Sequence, residues 1–289
     1  MGDVVKLDGV SLTRAQLVQV AQGAQVALDA KALERVAHAA EFLLQQVAKQ
    51  EPIYGISTGF GSNADKLLGS HRLRDELPGA ARSGQPPHLE LQRNLIVTHA
   101  VCVGEPFAPE VVRAMLCIRI NTLLRGHSGI RVQTLEALAA MLNAGIVPVV
   151  PQLGSVGASG DLAPLSHLAI VLLGGGEAFV DGQRMPGADA LARKGLQPVE
   201  LSYKEGLALN NGTAQMLATA VLAILVVAAI AQQQPGSTGQ KQYAQAEALC
   251  GSRLVTARLD EHARLPRGDG LERELDAAGV QPRRRFERA

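Results

Sequence analysis

The sequence predicts a mainly α fold, a bundle of closely packed helices. Three observations carry this. Trp is absent and aromatic residues make up only 3% of the 289 residues, against 47% hydrophobic residues. The core therefore has to be built from Ala, Leu, Val and Ile, which suit helices packed at short range. Leu33, Val36, Ala37, Ala40, Leu43, Leu44 and Val47 recur at helical spacing. Residues 216–231 are nearly uncharged and rich in Ala, Val and Leu. That run is shorter than the ~20 residues that span a bilayer and has no basic flank at its start. It reads as a helix buried on all sides inside a bundle rather than as a membrane span.

Along the chain, the residues up to about 50 read as helical, with Asp29 as an N-cap. Residues 54–61 hold three glycines in Tyr54-Gly55-Ile56-Ser57-Thr58-Gly59-Phe60-Gly61 and read as a loop. Residues 64–90 are polar and irregular, with Pro86-Pro87. A helix is expected over 89–103, stopped by Gly104-Glu105-Pro106, then others over 109–124 and 133–143. Pro148 and Pro151 bracket an extended segment. A helix over 161–173 carries Pro164 in its first turn, where proline is tolerated, and ends at Gly174-Gly175-Gly176. Residues 177–184 suggest a hairpin around Asp181-Gly182. A short helix over 188–194 and the long apolar helix from about Gly212 complete the first region, residues 1–231. Residues 232–289 are rich in Arg, Glu, Gly and Ala with few large apolar side chains. They read as a weakly folded tail.

The formal net charge is +1, which gives no electrostatic case for nucleic acid or for an anionic membrane surface. Acidic residues interspersed around Arg283-Arg284-Arg285 weigh against a basic patch. Cys102, Cys117 and Cys250 have neither paired nor metal-ligand spacing, and His127 and His167 fit no ligand pattern, so no metal site is expected. With no secretory signal at the N-terminus, the expectation is a reduced, cytoplasmic protein.

The most informative stretch is 154–167, Gly-Ser-Val-Gly-Ala-Ser-Gly-Asp-Leu-Ala-Pro-Leu-Ser-His. The standard side chains offer nucleophiles, acids and bases but no strong carbon electrophile. Ala158-Ser159-Gly160 can supply one from the backbone. The Gly160 nitrogen attacks the Ala158 carbonyl carbon, two waters leave, and Ser159 becomes a dehydroalanine within a methylidene-imidazolone ring (MIO). Gly160 suits the tight bend because it has no Cβ. The alternative is an ordinary turn in which Ser159 or Asp161 caps the next helix.

Five stretches, 54–61, 91–99, 121–131, 154–167 and 204–213, resemble in order and spacing the signature blocks of the aromatic amino acid ammonia-lyases. That family includes histidine, phenylalanine and tyrosine ammonia-lyases and related aminomutases. The resemblance covers roughly residues 5–230. It implies a long-helix bundle of the ammonia-lyase and fumarase-like type with a loop-rich N-terminal active-site region. It also implies a homotetramer in which each active site draws on several subunits.

The chemistry explains the residue types. Ammonia is a poor leaving group and the β-hydrogen of an amino acid is barely acidic. An electrophile that takes the substrate covalently splits one hard step into easier ones. The resemblance makes Ala158, Ser159 and Gly160 the precursors of the MIO group, with no external cofactor. Whether the substrate amine or its aromatic ring is attacked stays open. Tyr54 is implied as the base that removes the β-proton, although an unperturbed phenol is weak in that role. Its glycine loop suits a mobile lid or a plain turn. Asn211, before Gly212-Thr213, is implied to hydrogen-bond around the ring and the amine, and also suits a helix N-cap. Asp161 suits local support for ring closure or a cap. Thr98-His99 is implied to select the substrate ring, and a small hydroxyl residue before His is the pattern of members that take histidine. Arg125-Gly126-His127-Ser128-Gly129-Ile130-Arg131 resembles part of the family's buried framework and is read as structural.

The leading expectation is thus a lyase converting L-histidine to urocanate and ammonia. Two alternatives stand beside it: a catalytically inactive fragment, and a tyrosine or phenylalanine ammonia-lyase or aminomutase. Family members are much longer. Their later blocks, including a second tyrosine followed by an arginine for the substrate carboxylate, have no counterpart here. A truncated or frame-shifted product with a substituted tail is the expectation that follows, together with an apolar helix short of its bundle partners.

Overall fold

The computed structural model describes residues 4–49, 51–61, 64, 86–157 and 159–232. The tail from 233, Cys250, Arg283-Arg284-Arg285, Ala158 and most of the irregular stretch after residue 64 lie outside these. Residues up to Ile224 form one compact unit, and Leu225 begins a second.

The N-terminal region is not wholly helical as the sequence suggests. Strand β1, Val4–Leu7, pairs in parallel with β2, Gln25–Leu28. Each strand is four residues long, with Val5, Leu7 and Val26 turned inward, a period of two too brief to stand out from its surroundings. Helix α1, Arg14–Ala21, lies between them. Its N-cap Thr13 accepts from the Gln16 amide while Gln16 Oε1 accepts from the Thr13 amide, a reciprocal capping box. Helix α2, Ala30–Ala48, starts where expected, with Asp29 Oδ1 accepting from the Ala32 amide at 3.0 Å.

Helix α3, Pro87–His99, ends four residues before the expected boundary. Val103, a β-branched residue suited to pleated backbone, instead enters strand β3, Val103–Pro106. Helices α4, Pro109–Leu123, and α5, Val132–Asn143, pack against each other and form the centre of the core. Met115, Leu116, Ile120, Leu135, Leu138, Met141 and Leu142 are fully buried there. Arg113 on α4 ties the N-terminal layer to this core. Its guanidinium donates to the carbonyls of Val20, Leu142 and Ala24 at 2.8, 3.1 and 2.9 Å.

Strands β4, Val147–Pro148, and β5, Pro151–Leu153, form the extended segment expected between the prolines. Strand β5 pairs antiparallel with β3. Strand β4 joins the hairpin of β6, Glu177–Val180, and β7, Gln183–Pro186, in the order β4-β6-β7. Asp181 and Gly182 both have positive φ, 51° and 78°, as a two-residue turn between antiparallel strands requires.

Helices α6, Leu162–Leu172, and α7, Gly187–Arg193, match the sequence reading closely. Helix α8, Glu205–Asn210, was not expected, and it packs on α3 and α6. Helix α9, Ala214–Gln232, is the long apolar helix. It is not buried on all sides. Up to Ile224 only Ala214, Ala218 and Leu222 are buried, while Met216, Leu217 and Ile224 are 53%, 43% and 55% exposed. The stripe spaced by four residues meets the core, and the opposite face has no cover in this unit.

Candidate active site

The loop 54–61 is tightly folded by its own backbone. The Ile53 carbonyl accepts from the amides of Ile56, Ser57 and Thr58. Gly55 sits at φ +66°, and a Cβ there would run into the Phe60 ring. Phe60 in turn meets the Tyr54 ring edge-on, with centroids 5.7 Å apart. The Tyr54 hydroxyl accepts from the Gly61 amide at 3.3 Å, and the side chain is 52% exposed. Gly55 and Gly61, both at positive φ, therefore let the loop close on itself around two aromatic rings.

The loop before α6 is held from both sides. At its start, Gly154 lies against Cys102 so closely that a Cβ would overlap the sulfur. At its end, Gly160 has φ +127°, and a Cβ there would stand 2.9 Å from the Gly212 carbonyl oxygen and 3.1 Å from Asn211 Oδ1. Only glycine satisfies both demands. Of the residues singled out in the sequence, Gly160 and Asn211 are thus brought into contact. Ser159 is exposed. A bend with no Cβ, pressed against an amide side chain, fits a ring closed through the Gly160 nitrogen.

Asp161 does cap a helix, but not the one it precedes. Its Oδ2 accepts from the Met216 amide at 2.9 Å, inside the first turn of α9, and its Oδ1 accepts from Ser155 Oγ at 2.9 Å. Its own amide donates to the Gly212 carbonyl at 2.7 Å. Asn211 is correspondingly the C-cap of α8, with extended φ −98° and ψ 112°, rather than an N-cap. Asp161 satisfies the otherwise unpaired amide at the start of α9, which leaves the Asn211 side chain free for another partner.

Thr98 and His99 end α3. Thr98 Oγ1 donates to the Asn94 carbonyl at 2.7 Å. His99 Nδ1 lies 2.8 Å from the Leu95 carbonyl oxygen, so Nδ1 carries a proton and Nε2 lies outside that bond. The hydrogen bonds of Tyr54 and His99 given above remain within their own elements and do not reach Asn211.

Several residues not singled out in the sequence hold these parts. Glu205 at the start of α8 is wholly buried and accepts from five donors. They are the Arg131 amide, Nε and Nη2, Thr134 Oγ1 and the Ser202 amide, at 2.6 to 3.0 Å. Arg131 is the last residue of the block read as framework, and the pair supports that reading. Arg119 on α4 is buried beneath α8. Its Nη2 donates to the Ala208 carbonyl, and its Nη1 occupies the place where a Gly212 side chain would go. Burial lowers its pKa to about 10. Asn210 Nδ2 donates to Ser166 Oγ on α6 at 3.2 Å. Gln92, wholly buried on α3, donates through Nε2 to the Gly55 carbonyl at 3.3 Å and accepts at Oε1 from the Gly206 amide at 2.9 Å. His167 Nε2 accepts from the Cys102 amide at 3.1 Å, and burial pushes its pKa below 6.5, which suits a neutral acceptor. The thiols of Cys102 and Cys117 are buried and pushed up, that of Cys117 to about 12. Among the described residues no group of three His, Cys, Asp or Glu side chains is placed to hold a metal ion.

The model of the aromatic amino acid lyase family matches residues 12–253. The chain belongs to that family. The matched stretch runs past residue 232, so the likeness extends into the region of changed composition. Over 217 residues the chain is 50% identical to histidine ammonia-lyase of Symbiobacterium thermophilum, covering 75% of this chain and 40% of that protein. The relative from Gloeobacter violaceus is 49% identical over 223 residues, covering 77% and 40%. A histidine ammonia-lyase of Geobacillus sp. is 41% identical over 275 residues, covering 95% and 50%. Among solved structures, histidine ammonia-lyase from Trypanosoma cruzi matches with a TM-score of 0.68 at 37% identity, over 80% of this chain and 42% of that one. Tyrosine aminomutase from Streptomyces globisporus matches equally well at 36% identity, over 80% and 40%. The mainly α fold is that of the family. The chain spans 40 to 50% of the length of these curated relatives.

Proposed function

We propose that this chain carries the catalytic N-terminal part of a histidine ammonia-lyase, a carbon–nitrogen lyase that eliminates ammonia from L-histidine to give urocanate. The observation that carries the reading is the contact of Gly160 with Asn211 and Gly212, because it puts the only backbone that tolerates this bend beside an amide able to orient a substrate amine. In this reading Ala158, Ser159 and Gly160 form the MIO group and no external cofactor is needed. The ring supplies a conjugated carbon electrophile when formed. Tyr54 takes the β-proton, Asn211 holds the amine, and Thr98 and His99 face the substrate ring.

Identities of 49 and 50% to proteins named histidine ammonia-lyase favour histidine over tyrosine. So does Nε2 of His99, which in the neutral ring can accept from an imidazole N–H. The reading includes a homo-oligomer, a tetramer as the resemblance implies, because the bare face of α9 needs an apolar partner. It also includes a small-molecule substrate, a cytoplasmic setting, and no role for nucleic acid or membrane. One run, Glu205–Leu225, is long and apolar enough to cross a bilayer by length and composition alone. Its break at Asn211 to Thr213 and its wholly buried Glu205 support a core helix instead.

Intact mass tests the central claim. The expected result is a deficit of two waters, lost in Ser159→Ala. A full, unmodified mass would overturn the reading. Release of urocanate from histidine, set against coumarate from tyrosine, tests the substrate.

A further inference from the structure

We infer that Gln92 is a positioning residue that couples the Tyr54 loop to the helix leading into Asn211. It rests on the lyase reading for what the two ends do, but not for the bonds that join them. Gln92 is a wholly buried amide in the middle of α3. A buried amide that only filled space would leave strong donors and acceptors unmet, which destabilises the fold. Here both polar ends are met, and each by backbone from a different element. Nε2 donates to the carbonyl of Gly55, the residue after Tyr54, at 3.3 Å. Oε1 accepts at 2.9 Å from the amide of Gly206, in the first turn of α8.

Neither partner has another hydrogen bond to turn to within its own element. The amide of Gly206 is among the first four of its helix, which have no partner inside the helix. The loop 54–61 is otherwise closed by its own residues. Gly206 also stands so close to α3 that a Cβ would be 2.6 Å from the Gln92 carbonyl oxygen. Helices α3 and α8 are therefore in backbone contact, and a displacement of one moves the other. Four residues beyond Gly206 the same helix ends at Asn210, whose neighbour Asn211 touches Gly160. One amide side chain thus bridges the loop carrying the proposed base and the element carrying the proposed amine ligand.

The bridge is directional, which makes it testable by near-isosteric changes. Gln92→Glu keeps an oxygen to accept from Gly206 but has no N–H for Gly55. Gln92→Met removes both. Amide hydrogen exchange reads the two arms separately, with Ile56, Ser57 and Thr58 reporting the loop and Gly206 reporting the helix. Leu135 on α5, whose amide donates to the Arg131 carbonyl, serves as the fold control. In Gln92→Glu the loop amides should exchange about tenfold faster while Gly206 keeps its protection. In Gln92→Met both arms should lose about tenfold. Where Gln92→Met also loses Leu135 protection, Gln92→Asn, one methylene short of both partners, asks the same question of a milder variant. Parental protection of Ile56 to Thr58 in these variants, with the fold intact, would overturn the inference.

Turnover provides a readout that a packing role would not move. For histidine deamination, kcat should fall about tenfold in Gln92→Glu with KM within about twofold, the pattern of a misplaced reacting group rather than a lost binding contact. A KM effect with unchanged kcat would count against positioning. If the unsubstituted protein shows neither turnover nor the two-water deficit, the lyase reading fails, and the exchange arms still decide the coupling.

Discussion

The two halves of the run Glu205–Leu225 are treated oppositely by the fold. Helix α8 contains a carboxylate and an amide, Glu205 and Asn210, and both are wholly buried. Helix α9 is the more apolar by composition, yet Met216, Leu217 and Ile224 are about half exposed. Composition alone predicts the reverse. The difference lies in partners. Helix α8 is wedged between α3 and α6, and five donors converge on Glu205 so that its charge is matched. Helix α9 meets the core of its unit only along Ala214, Ala218 and Leu222. Burial follows what a segment can be packed against, and among the described residues of this unit nothing covers the outer face of α9.

The sharpest way to break this comparison is to remove the buried charge. Glu205→Ala leaves Arg131, Thr134 and Ser202 without their acceptor and should cost about 3–5 kcal/mol, measured as a shift of the denaturant midpoint. A loss below about 1 kcal/mol would mean that α8 is not the sealed half. Next in size is Gly206→Ala. Its methyl group would meet the Gln92 carbonyl at 2.6 Å, and overpacking of this kind costs about 1–3 kcal/mol. A stabilised variant, as helix propensity alone would give, would show that α3 and α8 separate easily.

Acid should act on the sealed half in a defined direction. Burial holds the pKa of His167, on α6 beside α8, below 6.5 in the folded protein. The unfolded chain then binds more protons as pH falls below that value. The contribution of His167 to stability is complete above pH 6.5 and is lost as pH drops through the depressed folded pKa. His88 is shifted the same way by the same cause. Thermal midpoints should therefore fall on going from neutral pH toward pH 5, less so in His167→Gln. The smallest effect belongs to the bare half. Leu217→Gln and Ile224→Gln should change monomer stability by no more than about 0.5 kcal/mol, while lowering self-association in light scattering. A large stability loss there would show that this face is covered.

Features that depend on a few neighbouring residues were legible in the sequence. Asp29 caps α2, Pro109 opens α4, and Asp181-Gly182 turns the hairpin, each through local backbone chemistry. The glycine-rich loop and the Gly160 bend were legible for the same reason. The short strands β1 and β2 were not, because four residues at period two sit inside stretches that also suit a helix. Helix α8 was not legible because six residues are too few to show a helical period, and the close approach of Gly206 to Gln92 has no local signal. The cap on α9 was misplaced because its donor and acceptor are 55 residues apart in sequence. Gln92, Arg119 and Glu205 had no local signal at all, since their meaning lies in which distant backbone they meet.

The clamp on the 154–161 loop has a consequence for biosynthesis. Two of its fastenings, the Gly212 carbonyl and the Met216 amide, lie later in the chain than the segment they secure. While translation proceeds, the tripeptide leaves the ribosome before either fastening exists. These two hydrogen bonds of Asp161 can therefore form only after residue 216 has emerged, whereas the bond from Ser155 to its carboxylate is available as soon as the loop itself is made.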